Sequence, residues 1–222
     1  MKPVGAPVPG WTPSGRPGRS TLTGRTVRLE PLRADHTEAL FPALCGEGDE
    51  ERWTYRATEM PSTLDEFARV VEPFLDHPPG ATYVVVPDAG PSGMLTCWPC
   101  VPEHGAVELS SVLWGATLAR STAATEAVHL LLEHLFEDLG HRRVEWKCDS
   151  LNEPSRQAAV RYGFTFEGHF RQHMVTKGRN RDTDWFAMLD GEWPAVKARN
   201  ERWLAPANFD GEGRQLRRLT DC

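Results

Sequence analysis

No run of the 222-residue sequence is apolar and long enough to span a membrane, and Met1-Lys2 leads into a Pro/Gly stretch rather than an apolar signal core. Cysteine is sparse and odd in number. Cys45, Cys97, Cys100, Cys148 and Cys222 follow no disulfide framework, which points to reduced thiols and a cytoplasmic protein. No further ligand pair is spaced to complete a zinc site with Cys97 and Cys100, so no metal is expected. A redox thiol pair normally opens a helix after a strand, whereas this one interrupts a run of strands, so these cysteines read as structural. An excess of positive charge is missing as well: 25 Lys and Arg stand against 31 Asp and Glu, a net charge of -6. That balance argues against a nucleic-acid binder, and a tRNA would have to be met by a local basic patch. With repeats also absent, 40% hydrophobic and 25% charged residues fit one globular domain with a full core.

The hydrophobic periodicity supplies the elements. Residues 1–22 carry Pro3, Pro7, Pro9, Pro13 and Pro17 among glycines, which predicts an extended arm anchored by Trp11. A strand is expected over 25–32. Asp35 with Glu38, and Thr63 with Glu66, have capping-box spacing and predict two helices, the second with Leu64, Phe67, Val70, Val71 and Phe74 on one face. Strands follow at 81–87, 93–98 and 106–114, with Gly105 turning the last pair. A long helix over 123–139 ends at Gly140, a strand covers 142–148, and a short helix runs from Asn152 to Tyr162 before Gly163. Strands at 164–177 and 183–190 flank the polar turn Gly178-Arg179-Asn180-Arg181, and a last helix spans about 194–204. The order predicts an α+β fold, an antiparallel meander followed by one β-α-β unit. The domain is expected over 23–205, with 206–222 as a polar tail.

Two segments carry chemistry. Arg120-Ser121-Thr122-Ala123-Ala124-Thr125 opens the long helix, where unpaired N–H groups and a partial positive charge suit a phosphate. Cys148-Asp149-Ser150-Leu151-Asn152-Glu153-Pro154-Ser155 joins a strand to a helix, with Ser155 placed to turn into the gap between strands. Plain Ser/Thr and Asn capping would account for each segment alone.

Together, and with Gly10-Trp11-Thr12-Pro13, Arg28-Leu29-Glu30-Pro31-Leu32, Arg143-Val144-Glu145-Trp146-Lys147, Gly163-Phe164 and Glu192-Trp193-Pro194 in order, they resemble the GNAT superfamily and its RimJ/RimL-like branch. The resemblance implies an acyltransferase fold, acetyl-CoA or another acyl-CoA as co-substrate, and a small-molecule or peptide amine as acceptor. It implies that Arg120, Ser121, Thr122, Ala123, Ala124 and Thr125 cradle the pyrophosphate, and that Val112 and Leu113 pair with the pantetheine arm. Asn152 and Ser155 complete the donor site. Many superfamily members place a tyrosine acid seven residues after that Asn; here the position is Ala159, and RimL-like enzymes use the serine that Ser155 matches. The resemblance leaves room for a homodimer and for a longer acyl-CoA or an aminoacyl-tRNA as donor.

The chemistry fixes what else is needed. A lysine-like amine has a pKa of about 10.4 and must lose a proton before it attacks a thioester. A carboxylate or histidine can take that proton, backbone N–H groups can hold the oxyanion, and a hydroxyl can protonate the leaving thiolate. Ser155 is the candidate acid. Glu108 is the first candidate base, ahead of His173 and Asp149, although Glu108 can equally serve as an arginine partner and His173 as an ordinary strand residue. Thr96-Cys97-Trp98-Pro99-Cys100 departs from the unbroken strand of relatives and predicts a remodelled cleft floor. Arg171, Lys177, Arg179 and Arg181 form a basic stretch that is either a solvated hairpin or a patch for an acidic ligand, while Phe164, Phe166 and Phe170 are expected at core positions.

Overall fold

The computed structural model describes residues 2–75 and 80–222. The expected elements form one eight-stranded sheet in the order β1-β2-β3-β4-β5-β6-β8-β7. The sequence reading missed β1, a two-residue strand at Leu22–Thr23 that pairs with β2, Val27–Pro31. β2, β3 (Ala81–Pro87), β4 (Gly93–Val101) and β5 (Ala106–Trp114) make the antiparallel meander. Gly105 turns the β4–β5 connection at φ 61, and a Cβ there would lie 2.4 Å from the Trp11 ring, so only glycine lets the arm's anchor seat. β6 (Arg143–Asp149) runs parallel to β5, and β8 (Arg179–Leu189) and β7 (Thr165–Thr176) close the other side as a hairpin.

Helices cover both faces. α1 (His36–Leu44) and α2 (Leu64–Val71) bury Leu40, Leu44, Phe67 and Val71 against Val84, Met94 and Leu113. α3 (Thr122–Glu133) and α4 (Glu153–Tyr162) cover the opposite face around Leu95, Leu109, Val144 and Trp146. α5 (Trp193–Leu204) lays Trp193 on that same core. The stretch after it is packed rather than trailing: Phe209, Leu219 and Cys222 close on Trp203 and Leu204.

Several local expectations change. Asp35 makes no capping hydrogen bond, because Arg33 holds its carboxylate at 3.1 Å. Thr63 does cap α2, accepting from the Glu66 N–H, while the Glu66 carboxylate reaches back to Ser62. β4 runs on to Val101 through a register shift between Cys97 and Cys100. The β7–β8 turn is Lys177-Gly178, both at positive φ as a tight hairpin turn requires, so Arg179–Arg181 belong to β8. Phe164 is buried, but Phe166 and Phe170 lie half exposed on the edge strand, resting on Phe186 and Trp185.

Candidate active site

β5 and β6 are paired only from Ala106↔Arg143 to Glu108↔Glu145. Beyond that both strands continue, β5 to Trp114 and β6 to Asp149, but they splay. Ser111, at φ 51, and the register shift between Met94 and Thr96 bend β5 away. The resulting gap exposes a strand edge without a strand to fill it, between the end of the parallel seam and the start of α3.

Glu108 lies where the strands part. It is buried, its Oε2 stands 2.6 Å from the Lys147 ammonium, and desolvation pushes its carboxyl above the ordinary carboxylate value while Lys147 pulls it back. On the β6 side, Asn152 caps α4 by accepting from the Ser155 N–H at 3.2 Å. The Ser155 hydroxyl oxygen accepts from the Trp146 indole at 3.0 Å. Cys148 is itself buried, which raises its thiol to about 11. Ala159 is fully buried in the core and offers no polar atom. His173, on exposed β7, places Nδ1 3.0 Å from Thr183 Oγ1. Asp149 spends an oxygen on the Leu151 N–H at 2.9 Å.

Glu108, Ser155, His173, Asp149, Asn152 and Val112 line one cavity of about 380 Å³. Leu113 does not, since its side chain belongs to the α1–α2 core and its backbone pairs with Met94 of β4. The far wall was not anticipated. It comes from the turn 50–57, whose Arg52, Tyr55, Arg56 and Ala57 reach the cavity. That turn is held by its neighbours: the Lys177 ammonium donates to the Trp53 carbonyl at 2.9 Å and meets Glu59 at 2.9 Å, and the Tyr55 hydroxyl donates to the Leu151 carbonyl at 2.9 Å. The basic stretch of β7–β8 is therefore not one patch. Lys177 braces this turn, Arg181 lines the cavity, and Arg171 borders a separate surface depression.

A second cavity of about 840 Å³ opens at the start of α3, bordered by Arg120, Ser121, Thr122, Ala124 and Thr125. Ser121 caps α3 by accepting from the Ala124 N–H at 3.1 Å, leaving the first-turn N–H groups of Thr122 and Ala123 without intrahelical acceptors. The buried methyls of Ala123 and Ala124 keep that turn slim. Arg161 reaches over from α4 to Thr125 Oγ1 at 3.2 Å and lies over the Trp203 ring. Phe209 and Arg214 of the packed C-terminal stretch form the outer wall. An open strand edge leading to a helix start with free N–H groups and arginines fits a long ligand with a diphosphate and an extended polar arm. Away from this cleft, His129, Glu133 and Glu201 approach one another within 4.8 Å, and Lys197 already neutralises Glu133 at 2.6 Å. Among the described residues no helix is long and apolar enough to cross a membrane.

Residues 26–165 match the acetyltransferase (GNAT) domain model. A GCN5-related N-acetyltransferase from Brucella melitensis is 44% identical, covering 96% of this chain and 98% of its own at a TM-score of 0.93. A probable acetyltransferase of the GNAT family from Chromobacterium violaceum is 40% identical over 87% of this chain and 98% of its own, with a TM-score of 0.81. The fold is shared with RimL, the ribosomal L7/L12 alpha-N-protein acetyltransferase solved with coenzyme A, at 18% identity over 77% of this chain and 98% of its own (TM-score 0.67). No curated protein sequence matches the chain.

Proposed function

Because the chain belongs to the GNAT acetyltransferase family, we propose that it transfers an acyl group, acetyl first, from acyl-CoA to a primary amine by direct attack on the thioester. The observation that carries the reading is the gap between β5 and β6, open from Glu108 onward and ending on the free N–H groups of α3. Acyl-CoA brings the activated acyl carbon. The chain's own groups do the rest. Thr122 and Ala123 N–H groups with Arg120 take the diphosphate, Ser121 and Thr125 shape that turn, and the backbone of Val112 and Leu113 pairs with the pantetheine amides. Asn152 fixes the start of α4 and so the position of Ser155.

Glu108 is the acceptor of the amine proton in this proposal. Its raised pKa makes it a better base than a surface carboxylate, and its place at the parting of the strands puts it beside the acyl end. His173, across the cavity, is the alternative base through Thr183 or water. Ser155 gives its proton to the leaving sulfur. The Trp146 indole occupies a lone pair of its oxygen, which leaves the O–H to donate to an acceptor in the cleft. The reading takes the catalytic unit as residues 23–205, with 1–22 as a bracing arm and 206–222 folded on the last helix. Five free thiols suit a reducing compartment such as the cytoplasm. The half-exposed phenylalanines of edge strand β7 are compatible with a homodimer.

Incubating the protein with acetyl-CoA and an amine panel, and following release of free CoA thiol, tests the reading. Amine-dependent thiol release is expected. CoA binding without turnover on any amine would leave an idle acyl-CoA module, and tRNA binding without CoA binding would favour aminoacyl transfer.

A further inference from the structure

The acyltransferase reading leaves the amine unnamed, and the wall that faces it is more basic than the chain as a whole. The chain carries a net charge of -6, yet Arg52, Arg56, Lys147 and Arg181 line the smaller cavity against only Glu108 and Asp149. Two of those cations are already used: Lys147 holds Glu108, and Arg52 pairs with Asp49. Among the described residues no carboxylate forms a direct ion pair with Arg56 or Arg181, although the Arg181 charge also acts on Glu108, which Lys147 already holds. Arg181 donates to the neutral Thr183 hydroxyl at 3.3 Å, and the Arg56 guanidinium lies 6.0 Å from the Trp53 ring centre. Burial alone depresses Arg56, to about 10, with no opposing carboxylate. Desolvating a cation without an anion beside it costs stability, and a site that binds an anion recovers that cost when occupied.

Between these arginines the lining is apolar. Trp98 and Met174 are both 45% exposed, large apolar side chains left open inside a concave site. The register shift between Cys97 and Cys100 puts Trp98 there, and Ser110 Oγ fastens its carbonyl at 2.5 Å. The segment that shifts the register of β4 thus lies on the apolar side of the cavity, with Tyr55 and Phe74 among the other lining residues.

We propose that the acceptor is a small amine bearing a carboxylate and an aromatic or bulky aliphatic body, its carboxylate met by Arg56 and Arg181 and its body resting on Trp98 and Met174. The inference rests on the acyltransferase reading and names its substrate class. A volume of about 380 Å³ suits a single amino acid or similar molecule. The proposal sets the carboxylate between the turn 50–57 and β8, which supply Arg56 and Arg181, and turns the amine toward Glu108.

The test compares matched pairs that differ only in the carboxylate: tryptophan with tryptamine, and phenylalanine with phenethylamine, at saturating acetyl-CoA. The carboxylated member of each pair is expected to show kcat/KM at least about 10-fold higher, from a charge-assisted bidentate contact. Arg56→Gln and Arg181→Gln should each shrink that ratio severalfold, and Arg56→Lys should retain part of it. Trp98→Ala should raise KM for both members alike. Calorimetric CoA binding and thermal melts on each variant report intact folding and donor binding. A ratio at or below one in the unaltered protein, a ratio untouched in both glutamine variants, or no reaction with any member while CoA still binds would each overturn the inference. Thiol release with other amines in those cases would leave the acyltransferase reading standing, whereas failure to bind CoA would remove that reading itself.

Discussion

The Trp146 indole N–H is spent on the Ser155 oxygen, and the proposal has the hydroxyl offer the cleft its proton. Ser155→Ala is expected to lower kcat about 10- to 1000-fold with little change in donor KM, read by steady-state kinetics. A rise in donor KM at constant kcat would make Ser155 a binding group instead. Glu108 answers to pH. In the proposed base role it must be deprotonated, so activity is expected to fall as pH drops through its pKa, which burial has moved above the ordinary carboxylate value. Lys147 opposes the shift from 2.6 Å. Lys147→Met should therefore move the acidic limb of kcat/KM to higher pH, and a pH–rate profile with an unmoved limb would take the base role from Glu108. Ser155 could be nominated from the family resemblance and its place behind the Asn152 cap, and Glu108 and His173 only as ionisable side chains on strands near it. Arg56 could not: the segment 49–60 has neither helical nor strand periodicity, and what makes it part of the cavity is the long-range grip of Lys177 and Tyr55.

At the scale of elements, the N-terminal arm is a brace across the sheet's lower end. Ser14 and Gly15 donate backbone N–H groups to Pro102 and Leu139, Trp11 seats on Gly105, and the Tyr83 hydroxyl donates to the Gly18 carbonyl at 2.9 Å. His141 joins this brace through Ser14 Oγ at 3.2 Å. It is 2% exposed, and burial lowers its pKa to about 4 from 6.5, partly opposed by the Gly105 carbonyl. A depressed folded-state pKa means the unfolded chain takes the proton first. The contribution is full above about 6.5 and lost as pH falls toward 4, a change on the order of 3 kcal/mol. Denaturation from pH 7.5 to 4 should show that loss, and His141→Gln should flatten it; equal pH dependence in both would refute the assignment. The elements themselves were readable because periods of two and of about 3.6 alternate cleanly. What escaped was pairing chemistry that depends on neighbours: Asp35 looked like a cap until Arg33 claimed it, and Gly178 fixed the hairpin turn one residue earlier than the polar run suggested.

For the whole molecule, the net charge of -6 sets how each anionic ligand is met. In the proposed site CoA needs only the α3 terminus and a few arginines, whereas a polyanion must approach against the overall field. CoA binding is expected to persist at physiological salt, while any tRNA binding collapses as salt rises; calorimetry across a salt series separates them, and salt-tolerant tRNA binding would contradict this. The eight strands, finally, are mechanically two sheets sewn together along three residue pairs, Ala106↔Arg143 to Glu108↔Glu145. A ligand lying in the gap acts as the absent stitch. Amide hydrogens of Leu109–Leu113 that face the gap should exchange rapidly in the free protein and slow at least about 10-fold with CoA. The donor would then decide how firmly the two halves move as one body, so that the protein is stiffest when charged for reaction and loosest once CoA has left.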